Sequence, residues 1–264
     1  MKAVISTMKK TALITGASGG IGLELAKIFA KEGYDLVLVA RNKEKLCTIK
    51  SNLEVTYKHQ VYIYAKDLSE KNAAHDVYNF TQNQHLHIDI LINNAGFGDF
   101  GSFLDSNLTK QSEMIQVNVT ALMQMCHLFI PQMSERKSGK ILNIASIAAF
   151  QAGPLMSVYY ATKAFVLSFS EALSVELKNS GITVTALCPG PTVTGFEQNA
   201  NLESSGLFKN LKTSTAKSVA LFGYRMLMKN KAIAVPGATN KCIVWAAKLL
   251  PRRFIRNMAY RIQK

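Results

Sequence analysis

Cysteine, histidine and tryptophan are scarce in this chain, at four, five and one of 264 residues, and no stretch approaches about 18 uninterrupted apolar residues. Each scarcity excludes something. Cys47, Cys126, Cys188 and Cys242 lie far apart with no CxxC pair, which argues against a disulfide framework or a cysteine-ligated zinc and fits a reducing compartment. His85-Leu86-His87 lacks the carboxylate or cysteine partners that complete a ligand set, so no metal is expected. The opening MKAVISTMKK has neither the apolar core nor the small-residue cleavage site of a secretory signal, so a cytoplasmic protein without a spanning segment is the expectation. Acidic residues are missing locally: positions 204–264 hold no Asp or Glu but thirteen Lys or Arg, so nearly all of the net charge of +14 sits there. No zinc-finger, RNP or helix-turn-helix pattern accompanies that charge, and no nucleic acid partner is expected. Repeats, low-complexity stretches and interdomain linkers are absent too.

What is present is core material. The chain is 48% hydrophobic and only 18% charged, which excludes disorder. Short apolar runs rich in β-branched residues, at 10–15, 35–39, 61–65, 88–92, 139–145, 182–188 and 232–235, alternate with amphipathic stretches such as Ile21–Lys31, Asn42–Tyr57, Lys110–Glu135 and Ser157–Asn179. Repeated βα units of this kind predict an α/β fold around a parallel sheet of about seven strands, helices on both faces. We expect one catalytic domain over residues 9–237, a flexible tail over 1–8 and a basic amphipathic extension over 238–264.

The first strand runs into Thr15-Gly16-Ala17-Ser18-Gly19-Gly20-Ile21-Gly22 and then a helical pattern. Glycines there let the backbone turn tightly and approach a pyrophosphate, whose charge rests on N–H groups at a helix N-terminus. A dinucleotide is the expected ligand. The end of the second strand tells which one, because an acid would accept a ribose 2′-OH and a basic residue would pair with a 2′-phosphate. Asp35 stands at the wrong end of that strand and Arg41 at the correct end, which favours NADP(H) over NAD(H).

These residues resemble the short-chain dehydrogenase/reductase family over about 9–237, and a single-domain Rossmann-like, doubly wound sheet is implied. The TGxxxGxG motif is Thr15, Gly16, Gly20 and Gly22, with Ser18 and Ile21 in the same loop; Asn93-Asn94-Ala95-Gly96 closes the fourth strand; Asp67-Leu68 stands where the family contacts adenine. Tyr-x-x-x-Lys is Tyr159 to Lys163, the family serine is Ser146 and the helix asparagine is Asn118. Pro189-Gly190-Pro191-Thr192-Val193-Thr194 matches the segment that by resemblance holds the nicotinamide amide, with Thr192 and Thr194 in contact. One departure is Gly19, where many NADP-preferring members carry Lys or Arg. Phosphate recognition then falls mainly on Arg41, with Ser18 and Asn42 beside it.

A phenol is a weak acid at neutral pH, but an ammonium about 4–6 Å away favours its ionised form. Tyr159 and Lys163 are one helical turn apart and share a face. Tyr160, three residues from Lys163, could share it as well, and the family pattern is what selects Tyr159. The resemblance then implies proton transfer by Tyr159, carbonyl orientation by Ser146, cofactor ribose contact by Lys163 and a water relay at Asn118. The expected reaction interconverts a ketone or aldehyde and an alcohol. Phe97, Ala148, Phe150, Met156 and Phe196 offer an apolar substrate pocket, and 195–211 reads as a mobile lid. The alternatives are a 3-oxoacyl reductase or hydroxysteroid dehydrogenase of the same family and, from another class, a non-catalytic NADP(H)-binding sensor or scaffold; the intact Ser146, Tyr159 and Lys163 argue against the last.

Two expectations concern partners. By resemblance, helices near 110–135 and 157–179 pair subunits into a homodimer or homotetramer. In the tail, Phe254, Ile255, Met258, Ala259 and Ile262 recur at helical spacing opposite Arg252, Arg253, Arg256 and Arg261. That stripe suits either an anionic membrane surface or packing on its own or a partner subunit.

Overall fold

The computed structural model describes residues 9–195, 200 and 213–264. The expected tail over 1–8, the lid apart from Gly195 and Ala200, and Phe196 lie outside them. Among the described residues the main sheet is built from β1 (Thr11–Thr15), β2 (Asp35–Ala40), β3 (Val61–Ala65), β4 (Ile90–Asn93), β5 (Gly139–Ile144), β6 (Ile182–Leu187) and, after the short pair β7 (Thr192–Val193) and β8 (Ser214–Thr215), β9 (Ile233–Ala234). All seven strands of that sheet are parallel, in the order β3-β2-β1-β4-β5-β6-β9. Every expected strand is present.

Parallel strands covered on both faces read as continuous apolar runs, which is why β1 and β2 show no clear alternation. Their alternate side chains still serve different cores. Leu13, Val37, Leu91, Ile141 and Val184 point to one face and meet Val77, Met125, Phe129 and Val166. Those partners belong to α3 (Ala73–Asn83), α4 (Leu108–Glu135) and α5 (Ser157–Glu176). Ile14, Leu38, Ile92 and Leu142 point to the other face and meet Leu25, Phe29, Leu46 and Val219. These come from α1 (Gly20–Lys31), α2 (Lys43–Tyr57) and α6 (Ala216–Met228). By length and composition α4 could cross a membrane; here its Met114, Met125, Phe129 and Met133 are buried in this chain's own core.

The strand order reverses between β1 and β4, and ligands of such sheets bind outside the carboxyl ends of the strands at that point. Two local features shape this crevice. Within α4 the residues Gln116–Ala121 form a π-helical turn, a device often found at functional sites. Asn118 sits inside it. At the far end, α7 (Ala238–Leu249) and α8 (Arg252–Gln263) fold back over the crevice, with Ile255, Ala259 and Gln263 buried.

Candidate active site

The glycine loop is fixed by sterics. Gly16 and Gly20 have positive φ, 65° and 53°, which an L side chain rarely adopts. A Cβ on Gly22 would lie 2.4 Å from the Gly16 carbonyl oxygen and 2.5 Å from Asn94 Nδ2. Asn94 holds this arrangement: its Nδ2 donates to the carbonyls of Thr15 and Gly16 at 2.9 and 3.1 Å, and its N–H donates to Thr15 Oγ1 at 3.0 Å. Ala95 N–H donates to the same Thr15 hydroxyl at 3.0 Å. Asn94 and Ala95 thus shape the loop from behind. The cradle, which any side chain would fill, opens at the N-terminus of α1 and suits a pyrophosphate.

Arg41 stands just after β2, its guanidinium largely exposed and 3.8 Å from the Asp67 carboxylate. Asp67 also accepts from the N–H and hydroxyl of Ser69, at 2.9 and 2.8 Å. Leu68 is buried beside it. Asn42, expected to help with phosphate, caps α2 with its Oδ1, which accepts from Lys45 N–H at 2.8 Å and leaves Nδ2 as the donor.

A cavity of about 430 Å³ continues from this loop and is bounded by Ser146, Tyr159, Lys163, Gly190, Thr192 and Thr194. Lys163 is buried, and its Nζ donates to the Ile144 carbonyl at 2.8 Å. The same ammonium lies 5.8 Å from the centre of the Tyr159 ring. Burial pushes Lys163 down to about 8, against an opposing pull from Cys188. Burial pushes the Tyr159 phenol above its ordinary value, while a hydrogen bond from Ser146 pulls it down. The lowering expected from the lysine is not what the site shows: burial is the largest influence on the phenol, and the cation beside it is itself desolvated. Ser146 is fixed by the Pro189 carbonyl at 3.4 Å and the Ala148 N–H at 3.1 Å.

Asn118 is buried and uses its side chain on structure. Its Oδ1 accepts from Phe97 N–H at 3.1 Å, and its Nδ2 donates to Phe97 O at 2.9 Å and Thr162 Oγ1 at 3.1 Å. Between it and Lys163 lies Gly96, where a Cβ would come within 2.9 Å of Asn118 Oδ1 and 3.4 Å of Lys163 Nζ. Tyr160, the rival by spacing, also lines the cavity, but its hydroxyl is engaged, accepting from Gln263 Nε2 at 2.8 Å, and its ring packs over Gly153.

Among the expected pocket residues, Phe97, Ala148 and Met156 line the cavity. Phe150 does not. At the end of the 3-10 turn Ile147–Phe150 it packs instead, half-buried, against the core, with Lys248 Nζ 5.5 Å above its ring. The unexpected wall comes from α7 and α8: Ile243, Met258, Ala259, Ile262 and Gln263. Helical spacing in the tail marked an apolar face but gave no address for it. It also grouped Phe254 with the inward residues, whereas Phe254 is exposed.

The sequence profile described as short chain dehydrogenase matches residues 10–205. The chain belongs to the short-chain dehydrogenase family. It is 38% identical over 189 residues to 17-beta-hydroxysteroid dehydrogenase type 3 of Mus musculus, covering 70% of this chain and 61% of that protein. It is 37% identical over 186 residues to very-long-chain 3-oxoacyl-CoA reductase-A of Danio rerio, covering 68% of this chain and 57% of that one. A solved structure of a short-chain dehydrogenase from Sphingobium yanoikuyae in complex with NADPH superposes with a TM-score of 0.81, at 31% identity, over 90% of this chain and 93% of that chain.

Proposed function

We propose that this short-chain dehydrogenase is an NADP(H)-dependent oxidoreductase that reduces an apolar ketone or aldehyde to an alcohol. The observation that carries the reading is the convergence of Ser146, Tyr159 and Lys163 on one cavity continuous with the glycine loop. NADP(H) over NAD(H) is supported by Arg41 at the end of β2 and by the NADPH bound in the Sphingobium relative. Tyr159 is neutral at physiological pH because burial raises it, so it is ready to donate a proton to a carbonyl oxygen. When bound, the reduced nicotinamide supplies the hydride that balances that proton and turns C=O into CH–OH. Ser146 donates to the same oxygen and orients it. Lys163, held by Ile144, would hold the cofactor ribose, and its ammonium, 5.8 Å from the Tyr159 ring, would stabilise the phenolate left after proton transfer. Asn118 acts by positioning, since its side chain is committed to Phe97 and Thr162.

The walls formed by Phe97, Met156, Ile243 and Met258 favour an extended apolar substrate. A hydroxysteroid or 3-oxoacyl compound is the narrower form of this reading, supported by the named relatives. The reading includes a cytoplasmic location, supported by four free thiols. It also includes pairing of copies through α4 and α5, which leave Ile115, Met123, Phe165 and Val175 exposed. The deciding experiment follows NADPH consumption over a panel of steroidal ketones, oxoacyl thioesters and small aldehydes. Turnover of an apolar member supports the proposal, and no turnover of any member with NADPH tightly bound sinks it in favour of a cofactor-binding sensor.

A further inference from the structure

The corner between α7 and α8 is exposed without a break from Lys248 to Phe254, in the order Lys-Leu-Leu-Pro-Arg-Arg-Phe. Leu249 is 72% exposed, Phe254 56%, and Trp245, one turn earlier on α7, 66%. Large apolar side chains are rarely left in water in such a group unless something covers them. Around them stand Lys241, Lys248, Arg252, Arg253 and Arg256, all exposed, and none takes part in an ion pair among the described residues. No acidic residue occurs anywhere in 204–264. The opposite side of the same two helices carries Ile243, Met258, Ile262 and Gln263 against the cavity.

We propose that this corner docks on an anionic lipid surface, with Trp245, Leu249, Leu250 and Phe254 entering the interface and the arginines and lysines meeting lipid phosphates. Interleaved apolar and basic residues on a helical element are what such adsorption requires: apolar area gives depth, and each cation near an anionic leaflet adds attraction. Charge argues against a second copy on this face. A two-fold contact would bring Arg252, Arg253 and Arg256 against their own copies with no acid between them. The docking rests on exposure and charge alone and stands or falls independently of the catalytic reading.

Trp245 is the chain's single tryptophan, so the unaltered protein reports on the corner directly. Vesicles of phosphatidylcholine with phosphatidylserine should shift its emission to the blue and sediment the protein; vesicles of phosphatidylcholine alone should do far less, and added salt should release it. R252E/R253E, and separately L249S/F254S, should weaken co-sedimentation by about tenfold or more while NADPH binding and the melting curve stay unchanged. An unmoved emission spectrum with anionic vesicles overturns the proposal. So does binding that neither variant alters. A fall in sedimentation coefficient for L249S/F254S without lipid would assign the face to a second copy and also overturn it.

Discussion

The Gln263 side-chain amide donates to the Tyr160 hydroxyl at 2.8 Å, joining α8 to the helix that carries the reactive pair. This bond is buried and bridges 103 residues of chain. It pins the wall formed by Met258 and Ile262 across the cavity mouth. Gln263→Ala should destabilise the fold by about 1–3 kcal/mol, the range for stranding a buried polar partner. Thermal melts measure that loss. The same variant should raise KM for a bulky apolar carbonyl and leave the NADPH dissociation constant unchanged; an unchanged KM would separate α8 from substrate selection.

Tyr159→Phe removes the acidic proton and keeps the ring. We expect kcat to fall by about 100-fold or more, the typical worth of a positioned general acid. NADPH binding, followed by fluorescence titration, should persist. A Phe variant with near-normal turnover would remove Tyr159 from the proton-transfer role, whereas Tyr160→Phe should cost stability more than rate.

The pH dependence follows from Lys163. Its folded value, about 8, lies below that of an unfolded lysine, so the buried ammonium disfavours folding below pH 8 and that cost is relieved as pH rises from about 8 toward 10.5. Activity should run the opposite way: kcat/KM for carbonyl reduction reports the free enzyme and should decline as Lys163 loses its proton near pH 8. Initial rates across neutral to alkaline buffers check this. Lys163→Met should give a low profile without that step.

Arg41 directly follows β2 and is steered by Asp67 at 3.8 Å. Losing a charge-assisted contact to a 2′-phosphate costs about 1.5–3 kcal/mol, so Arg41→Ala should weaken NADPH binding by roughly tenfold to a hundredfold. NADH binding should barely change. Parallel titrations with the two cofactors test this, and an equal loss for both would assign Arg41 to a general surface role.

The parts of the site legible in the sequence are those set by local sterics or helical period. Gly16, Gly20 and Gly22 could be read because a tight turn beside a helix demands them; helical spacing brought a tyrosine to Lys163 but left Tyr159 and Tyr160 level, and the family pattern chose Tyr159. Phe150 could not be placed, since one 3-10 turn decides which way its ring faces. Gln263 was out of reach for a different reason: its contact with Tyr160 is long-range, and a polar residue at the end of an amphipathic helix carries no periodic mark. The strands were legible because each is an apolar run bounded by breakers, while the π-turn at Gln116–Ala121 has no comparable signature.

That wider turn makes the spacing of α4 a matter of phase. A π-turn holds one residue more than an α-turn, so removing one residue from Gln116–Ala121 would let the backbone relax into an ordinary α-helix while the segments on either side keep their faces. Met114 would stay sealed in the interior and Asn107 would still cap the helix by accepting from Lys110 N–H, but Asn118 would leave the bulge that sets it against Phe97 and Thr162. A deletion here should therefore harm turnover through Asn118 more than it harms the melting temperature.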